Sequence, residues 1–122
     1  MSNAEIATSF LQMCASGDVR AAYDRHVSRD FTHHNAWFPG DRESLLQAME
    51  DSAKAEPNKS FEVKQVIDGG DRVAVLSHLV RAGAGLEYAV VHVARFEDGK
   101  IVELWDLAQE IPKQSPNANG MF

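Results

Sequence analysis

The sequence predicts an α+β fold in which three N-terminal helices pack on one face of a four-stranded antiparallel meander. Apolar residues recur with a helical period up to about residue 55 and then alternate with a strand period from Ser60 onward. Turn signals rich in glycine separate the strand segments. The length of 122 residues suits one core. We therefore predict a single domain over residues 1–122, with 113–122 as a loose tail.

The first half of the chain predicts three amphipathic helices, each with a recognisable start. Ser2 or Asn3 can cap the first helix, Asp18 the second and Asp41 the third, because short polar side chains accept hydrogen bonds from free backbone N–H groups. Gly17 fits the C-terminal cap of the first helix. The expected helices are Asn3–Ala15, about Val19–Val27 and Arg42–Lys54.

Between the second and third helices, the segment Asp30–Gly40 has an unusual content. Its sequence, DFTHHNAWFPG, combines two histidines, one asparagine and several aromatic residues, and it closes with a Pro-Gly turn signal. We expect a loop or a short strand here.

The second half of the chain predicts four strands in a meander. The turn Asp68–Asp71 contains two glycines, which supply positive φ at no steric cost. Arg72–Arg81 is apolar on both faces and is therefore a central strand. The remaining elements are a first strand from Ser60, a turn at Ala82–Gly85 and a long hairpin over Tyr88–Pro112.

The register of the last hairpin decides which of its side chains meet. A two-residue turn would place His92 opposite Trp105. A three-residue loop at Glu97–Gly99 instead places His92 opposite Leu104, with Asp106 one diagonal step away on the same face. We favour the three-residue loop, because it keeps one face of the hairpin largely apolar.

His78 extends this argument to the neighbouring strand. A turn centred near residues 84–85 places His78 close to opposite His92, so that His78, His92 and Asp106 converge on the face beneath the helices. A carboxylate on an apolar face can serve as a general acid or base, and an imidazole can shuttle protons near neutral pH. The candidate catalytic residues are therefore Asp106, His92 and His78. The structural alternative is a rim carboxylate paired to Arg or His, beside core histidines satisfied by hydrogen bonds.

Three stretches carry a resemblance to a known family: Asp30–Asn35, Val90–Glu103 and Leu104–Asp106. With these motifs, and over nearly all of Ala4–Pro112, the chain resembles the SnoaL-like polyketide cyclase branch of the NTF2-like superfamily. The resemblance implies a cone-shaped α+β barrel with a deep apolar pocket, homodimers through the outer sheet face, no cofactor and small organic ligands. Cyclases of this kind close a ring by intramolecular aldol condensation, with an acidic residue as general acid/base.

The same resemblance places the loop with His34 and Asn35 at the mouth of the pocket, where Asn35 could bind a carbonyl oxygen. His33 should then point the other way. Asn35 could alternatively cap its own backbone. The remaining candidate substrate contacts are Trp37, Tyr23 and Leu104, although aromatic side chains at such positions more often serve packing.

Composition disfavours several classes of function. The net charge is −6 and the basic residues form no cluster, which disfavours nucleic acid and membrane partners. The five histidines show no HxH or HxxxH spacing, so we predict no metal site. The single cysteine, Cys14, cannot form an internal disulfide, and the N-terminus lacks the pattern of a signal peptide. We expect a cytoplasmic protein.

Three hypotheses about function remain open at this point. The first is a cofactor-free acid–base enzyme that acts on a small hydrophobic carbonyl compound, by aldol-type cyclisation, isomerisation or a related reaction. The second is a non-catalytic dimer that binds a hydrophobic small molecule. The third is an adaptor that uses the half-apolar outer sheet face around Trp105 and has a filled core.

Overall fold

A computed structural model describes residues 1–122 and confirms the α+β fold, with three helices and one five-stranded sheet. Residues 111–122 form no helix or strand, although the Phe122 ring lies 4.9 Å from the ring of His78. The elements are α1 (Asn3–Ala15), α2 (Val19–His26), β1 (Val27–His33), α3 (Arg42–Ala55), β2 (Ser60–Asp68), β3 (Arg72–Arg81), β4 (Leu86–Glu97) and β5 (Lys100–Glu110).

The sheet contains one strand more than the predicted meander. Strand β1 pairs in parallel with β5, and the strand order is β1-β5-β4-β3-β2. The predicted second helix reached Val27, but the helix ends at His26 and Val27 begins β1. Three successive polar residues, 28–30, hide the strand period in the sequence, while Val27, Phe31 and His33 are buried.

The helix starts agree with the predictions in two cases out of three. The hydroxyl of Ser2 accepts a hydrogen bond from the backbone N–H of Glu5, and the Glu5 carboxylate accepts one from the backbone N–H of Ser2. A carboxylate oxygen of Asp41 accepts a hydrogen bond from the N–H of Ser44 at 3.0 Å. The prediction for Asp18 was wrong: its backbone is not extended (ψ 49°) and its side chain makes no cap hydrogen bond.

The hydrophobic core fills one end of the space between the helices and the sheet. The Phe10 and Tyr23 rings meet edge-on at 5.3 Å, and both side chains are almost fully buried. On the sheet, this core includes Ala94, Phe96 and Leu104, which lie towards the β4–β5 turn. At the other end of the sheet a cavity separates helices α1 and α3 from the inner face. None of the three helices is both long and apolar enough to cross a membrane.

Candidate functional site

The β4–β5 hairpin has a register that neither sequence alternative described. Asp98 and Gly99 form a two-residue turn with positive φ at both positions (50° and 74°), so Glu97 pairs with Lys100. The preferred three-residue loop was therefore wrong. At the next pair Phe96 lies opposite Ile101, but Arg95 then pairs with Glu103, so Val102 has no partner.

Val102 is the extra residue of this β-bulge. Ile101 and Val102 follow each other in sequence, yet both are buried, as expected where a bulge turns two successive side chains to one side. The bulge moves every later pair by one residue, so His92 lies directly opposite Asp106. The prediction that both residues share the inner face is confirmed, and the cause is the bulge rather than the loop length.

The carboxylate of Asp106 is held between two side chains. One oxygen, Oδ2, accepts a hydrogen bond from Asn35 Nδ2 at 2.8 Å. The other, Oδ1, lies 3.4 Å from Nε2 of His92, which is longer than an ordinary hydrogen bond. The side chain of Asp106 remains 17% exposed, towards the cavity. The carboxylate therefore has two flanking groups and an open side.

Asn35 is oriented by its own loop. Its Oδ1 accepts a hydrogen bond from the backbone N–H of Trp37 at 3.0 Å, which leaves the amide NH₂ to face Asp106. The alternative in which Asn35 caps its own backbone is confirmed, and its amide NH₂ also contacts Asp106. Binding of a carbonyl oxygen by Asn35 stays a prediction.

His33 is the residue that fixes this loop, and its role was missed from sequence. The ring is buried, Nε2 lies 2.6 Å from the carbonyl oxygen of Pro39, and Nδ1 accepts a hydrogen bond from the N–H of Asn35 at 3.1 Å. This pairing requires the tautomer protonated at Nε2, because only that nitrogen faces an acceptor. His33 therefore joins both ends of the 33–40 loop.

His92 is a buried imidazole with one unused nitrogen. Burial lowers the pKa of His92 below its ordinary value of 6.5, and the nearby Asp106 carboxylate partly opposes this effect. Nδ1 has no hydrogen-bond partner. The ring is therefore neutral at physiological pH, and its Nε2 is the atom that faces Asp106.

A cavity of about 480 Å³ opens beside these residues, between helices α1 and α3 and the inner face of the sheet. This volume lies within the range of sites for small organic molecules. Most of the lining side chains are hydrophobic, and Asn35, His92 and Asp106 form one of its polar regions.

His78 does not reach this site. Arg81 pairs with Leu86, so the turn between β3 and β4 spans four residues. In this register His92 lies opposite Val75, and His78 lies opposite Ala89. The predicted register was wrong by three residues, and an odd shift moves a side chain to the other face of a sheet. His78 instead lies on the outer side, where Nε2 is 2.7 Å from a carboxylate oxygen of Glu87.

The predicted orientations of His33 and His34 are reversed. His34 lies on the outer face, where its ring stacks on Trp105 with centroids 4.9 Å apart. Its Nε2 is 2.6 Å from Glu103, and hydrogen bonds from His34 and Arg95 hold the pKa of Glu103 below its usual range. The prediction of Trp105 on the outer face is confirmed by its pairing with Val93.

Three other predicted substrate contacts have different surroundings. Tyr23 is fully buried, with its hydroxyl 3.3 Å from the Met49 sulfur, and does not line the cavity. Leu104 is likewise buried in the core and does not line the cavity. Trp37 lies at the cavity rim and is 86% exposed. Cys14 lines the cavity, and burial raises the pKa of its thiol to about 12, so it remains protonated.

A second polar region of the same cavity was not predicted from the sequence. It lies where α3 ends and where β3 and β4 approach their connecting turn, and it consists of Ser52, Glu56, Lys59, Arg81 and Tyr88. One of these residues could have been predicted from the sequence: Tyr88 is four residues from His92 on the same strand, so the two side chains lie on the same face of the sheet. No group of three His, Cys, Asp or Glu side chains is arranged to hold a metal ion.

The helices, the sheet and the cavity between them form an NTF2-like α+β fold, which solved structures share. An NTF2-like protein from Cytophaga hutchinsonii is 16% identical, with a TM-score of 0.73, and the match covers 89% of this chain and 91% of that chain. A cystatin-fold protein from Novosphingobium aromaticivorans is 22% identical, with a TM-score of 0.76 over 88% of this chain and 98% of that one.

The family follows from the sequence itself. The model of the SnoaL-like domain matches residues 7–104, which is more than half of the chain, so the protein belongs to the SnoaL-like family. IdmH from Streptomyces antibioticus, described as a candidate polyketide cyclase, is 21% identical, with a TM-score of 0.73 over 89% of this chain and 93% of that chain. No curated protein matches the sequence.

Proposed function

We propose that this SnoaL-like protein is a cofactor-free acid–base catalyst that acts on a small hydrophobic carbonyl compound, with Asp106 as the general acid/base. The observation that carries this proposal is the Asp106 carboxylate, which faces an apolar cavity between Asn35 Nδ2 and His92 Nε2. The two flanking groups orient the carboxylate and leave one side open to a substrate.

The proposed chemistry begins with proton abstraction. Asp106 removes a proton from the carbon next to a carbonyl group, and the electron pair of the broken C–H bond delocalises into an enolate. In a cyclisation, the enolate carbon then attacks a second carbonyl of the same molecule, and the new alkoxide takes the proton back from Asp106. An isomerisation returns the proton to a different carbon. In both cases the proton count of the enzyme is restored.

His92 and Asn35 act as positioning residues in this scheme. A neutral imidazole can donate from Nε2 to the carboxylate without neutralising it, so Asp106 stays available as a base. The distance of 3.4 Å can shorten once a substrate excludes water from the cavity. Asn35 donates to the other carboxylate oxygen and is itself fixed by the His33 loop.

Deuterium exchange at the carbon next to a ketone tests this function without knowledge of the natural substrate. The protein is incubated with 2-tetralone in D₂O and loss of the α-proton signals is followed by NMR. We expect wild-type protein to accelerate exchange and Asp106→Asn to lose about 10²- to 10⁴-fold of that acceleration. The matched control is Asp30→Asn, the same change at an exposed carboxylate on β1.

Equal exchange rates in wild-type protein and Asp106→Asn would exclude Asp106 as the base. Binding of the ketone without any acceleration by wild-type protein would favour the second candidate, a non-catalytic binder, for which the apolar lining of the cavity is the supporting observation. The adaptor hypothesis requires a filled core at this place, and an open cavity argues against it.

We also propose that two copies pair through the outer sheet face. Support comes from Val91, Val93 and Trp105, which are half-exposed there, and from Leu107, which is 65% exposed. A row of apolar side chains on two adjacent strands is more readily explained by a covered surface than by contact with water.

A further inference from the structure

The cavity has a second polar end, remote from Asp106 and composed of charged side chains. Lys59 follows α3, Arg81 ends β3, and both line the cavity together with Glu56 and Tyr88. We call this group the cationic end. Its side chains are only partly exposed, at 33% for Arg81 and 28% for Glu56.

The charges at the cationic end do not balance. Arg81 donates from Nε alone to both oxygens of Glu56, at 3.1 Å each, so its terminal nitrogens make no hydrogen bond to a carboxylate. Lys59 donates from Nζ to the hydroxyl of Ser52 and forms no ion pair. Two cations therefore face one carboxylate, in a protein whose net charge is −6.

An unpaired ammonium group in an apolar cavity is unfavourable without an anion. Burial lowers the pKa of Lys59, with Arg81 acting in the same direction and Glu56 opposing it. An anion that entered the cavity would offset this cost, because it would pair with Lys59 and accept hydrogen bonds from the terminal nitrogens of Arg81, which Glu56 does not occupy. The planar guanidinium favours a carboxylate in particular, since its donors match the two carboxylate oxygens.

The two polar ends are far enough apart to bind different parts of one molecule. Tyr88 and His92 lie on the same face of β4, four residues apart, which corresponds to about 13 Å along a strand. Val90 lines the cavity between these levels, and the apolar residues Leu79 and Phe61 line it at the level of Tyr88. A ligand that reaches both ends therefore has an elongated apolar body.

We propose that the cationic end binds a carboxylate group of the substrate, so that the substrate class is an elongated, largely apolar keto acid whose carboxylate lies at the end opposite the reacting carbonyl. This inference rests on the proposed function, since Asp106 supplies the reacting end. Glu56 holds Arg81 in place and limits the positive charge while the cavity is empty.

The test uses two probes of equal shape, 2-naphthoate and the neutral 2-naphthamide, with binding measured by isothermal titration calorimetry. Wild-type protein should bind the acid about ten- to a hundredfold more tightly than the amide, the range expected for hydrogen bonds to a charged group. Lys59→Met and Arg81→Met should each remove most of this preference. Glu56→Gln should strengthen it, because the change frees Arg81 and removes a repelling carboxylate.

The matched control is Lys64→Met. Lys64 lies on β2, is 3.1 Å from Glu62 and does not line the cavity, so the same loss of charge should leave the preference unchanged. Circular dichroism establishes that each variant is folded. The inference is overturned by equal affinities for acid and amide, by no detectable binding of either, or by a preference that survives in the Lys59→Met, Arg81→Met double variant.

The two proposals fail separately in these experiments. Loss of α-proton exchange in Asp106→Asn together with equal affinity for acid and amide would reject only the carboxylate site. A carboxylate preference together with undiminished exchange in Asp106→Asn would reject only the catalytic role of Asp106.

Discussion

Replacing His92 by leucine should stabilise the fold while it damages the site. Leucine has a similar volume, and its side chain would face Phe61, whose ring centroid lies 6.3 Å from that of His92. The change removes the unpartnered Nδ1, and a buried unsatisfied polar atom costs about 1–3 kcal/mol. It also removes the long 3.4 Å contact to Asp106, which contributes about 1 kcal/mol at most. The expected net effect is a stabilisation of about 1 kcal/mol.

For a chain of 122 residues, 1 kcal/mol at the midpoint corresponds to a rise in Tm of about 4 °C. The rise should grow as the pH falls below 6.5, the ordinary pKa of histidine. Burial lowers the pKa of His92 in the folded state, so on acidification the unfolded state takes up a proton before the folded state does. The free energy of unfolding of the wild-type protein therefore falls as the pH falls, whereas His92→Leu has no such loss. His26, whose pKa burial also lowers, is present in both proteins and cancels in the comparison.

Thermal unfolding of both proteins by circular dichroism, at about pH 8 and about pH 5.5, measures the two effects. His78→Leu serves as the matched control, since His78 is partly exposed on the outer face and should show no such gain. A lower Tm for His92→Leu at both pH values, with a deficit that deepens on acidification, would mean that His92 is a charged partner of Asp106 and would refute the reasoning.

Two further changes test the helix start and the outer face. Asp41→Ala removes the side chain that accepts a hydrogen bond from the N–H of Ser44, so the urea midpoint should fall, whereas Asp41→Asn keeps an accepting oxygen and should leave the midpoint nearly unchanged. An unchanged midpoint for Asp41→Ala would show that the cap is not stabilising. Leu107→Glu places a charge on the exposed outer face. Sedimentation velocity should then report a monomer where wild-type protein sediments as a dimer, and an unaltered dimer would locate the contact elsewhere.

The order of elements could be predicted from sequence because periodicity and turn residues are local signals. Ser2 and Asp41 illustrate this: each cap depends on a side chain and a backbone N–H three residues later. Strand β1 was not predicted, for two reasons. Its parallel pairing with β5 joins residues about seventy positions apart, and its polar stretch shows no alternation of apolar and polar residues.

Site geometry was less accessible, because it depends on register, and a register depends on single residues. The bulge at Val102 is invisible in a run of apolar letters, since Ile101 and Val102 suit a strand in either arrangement. The length of the 82–85 turn decided the face of His78 in the same way. Lys59 lies in the short connection between α3 and β2. No hydrophobic periodicity exists there from which the direction of its side chain could be predicted.

The bulge at Val102 is what aligns the two residues of the site. A regular ladder of the same residues, closed by the same two-residue turn, would pair His92 with Trp105 and turn Asp106 outward, with both residues of the dyad still present in the sequence. Deletion of Val102 would instead remove the bulge and leave His92 opposite Asp106. Related chains are therefore best compared by whether the hairpin carries this bulge before they are compared by residue identity.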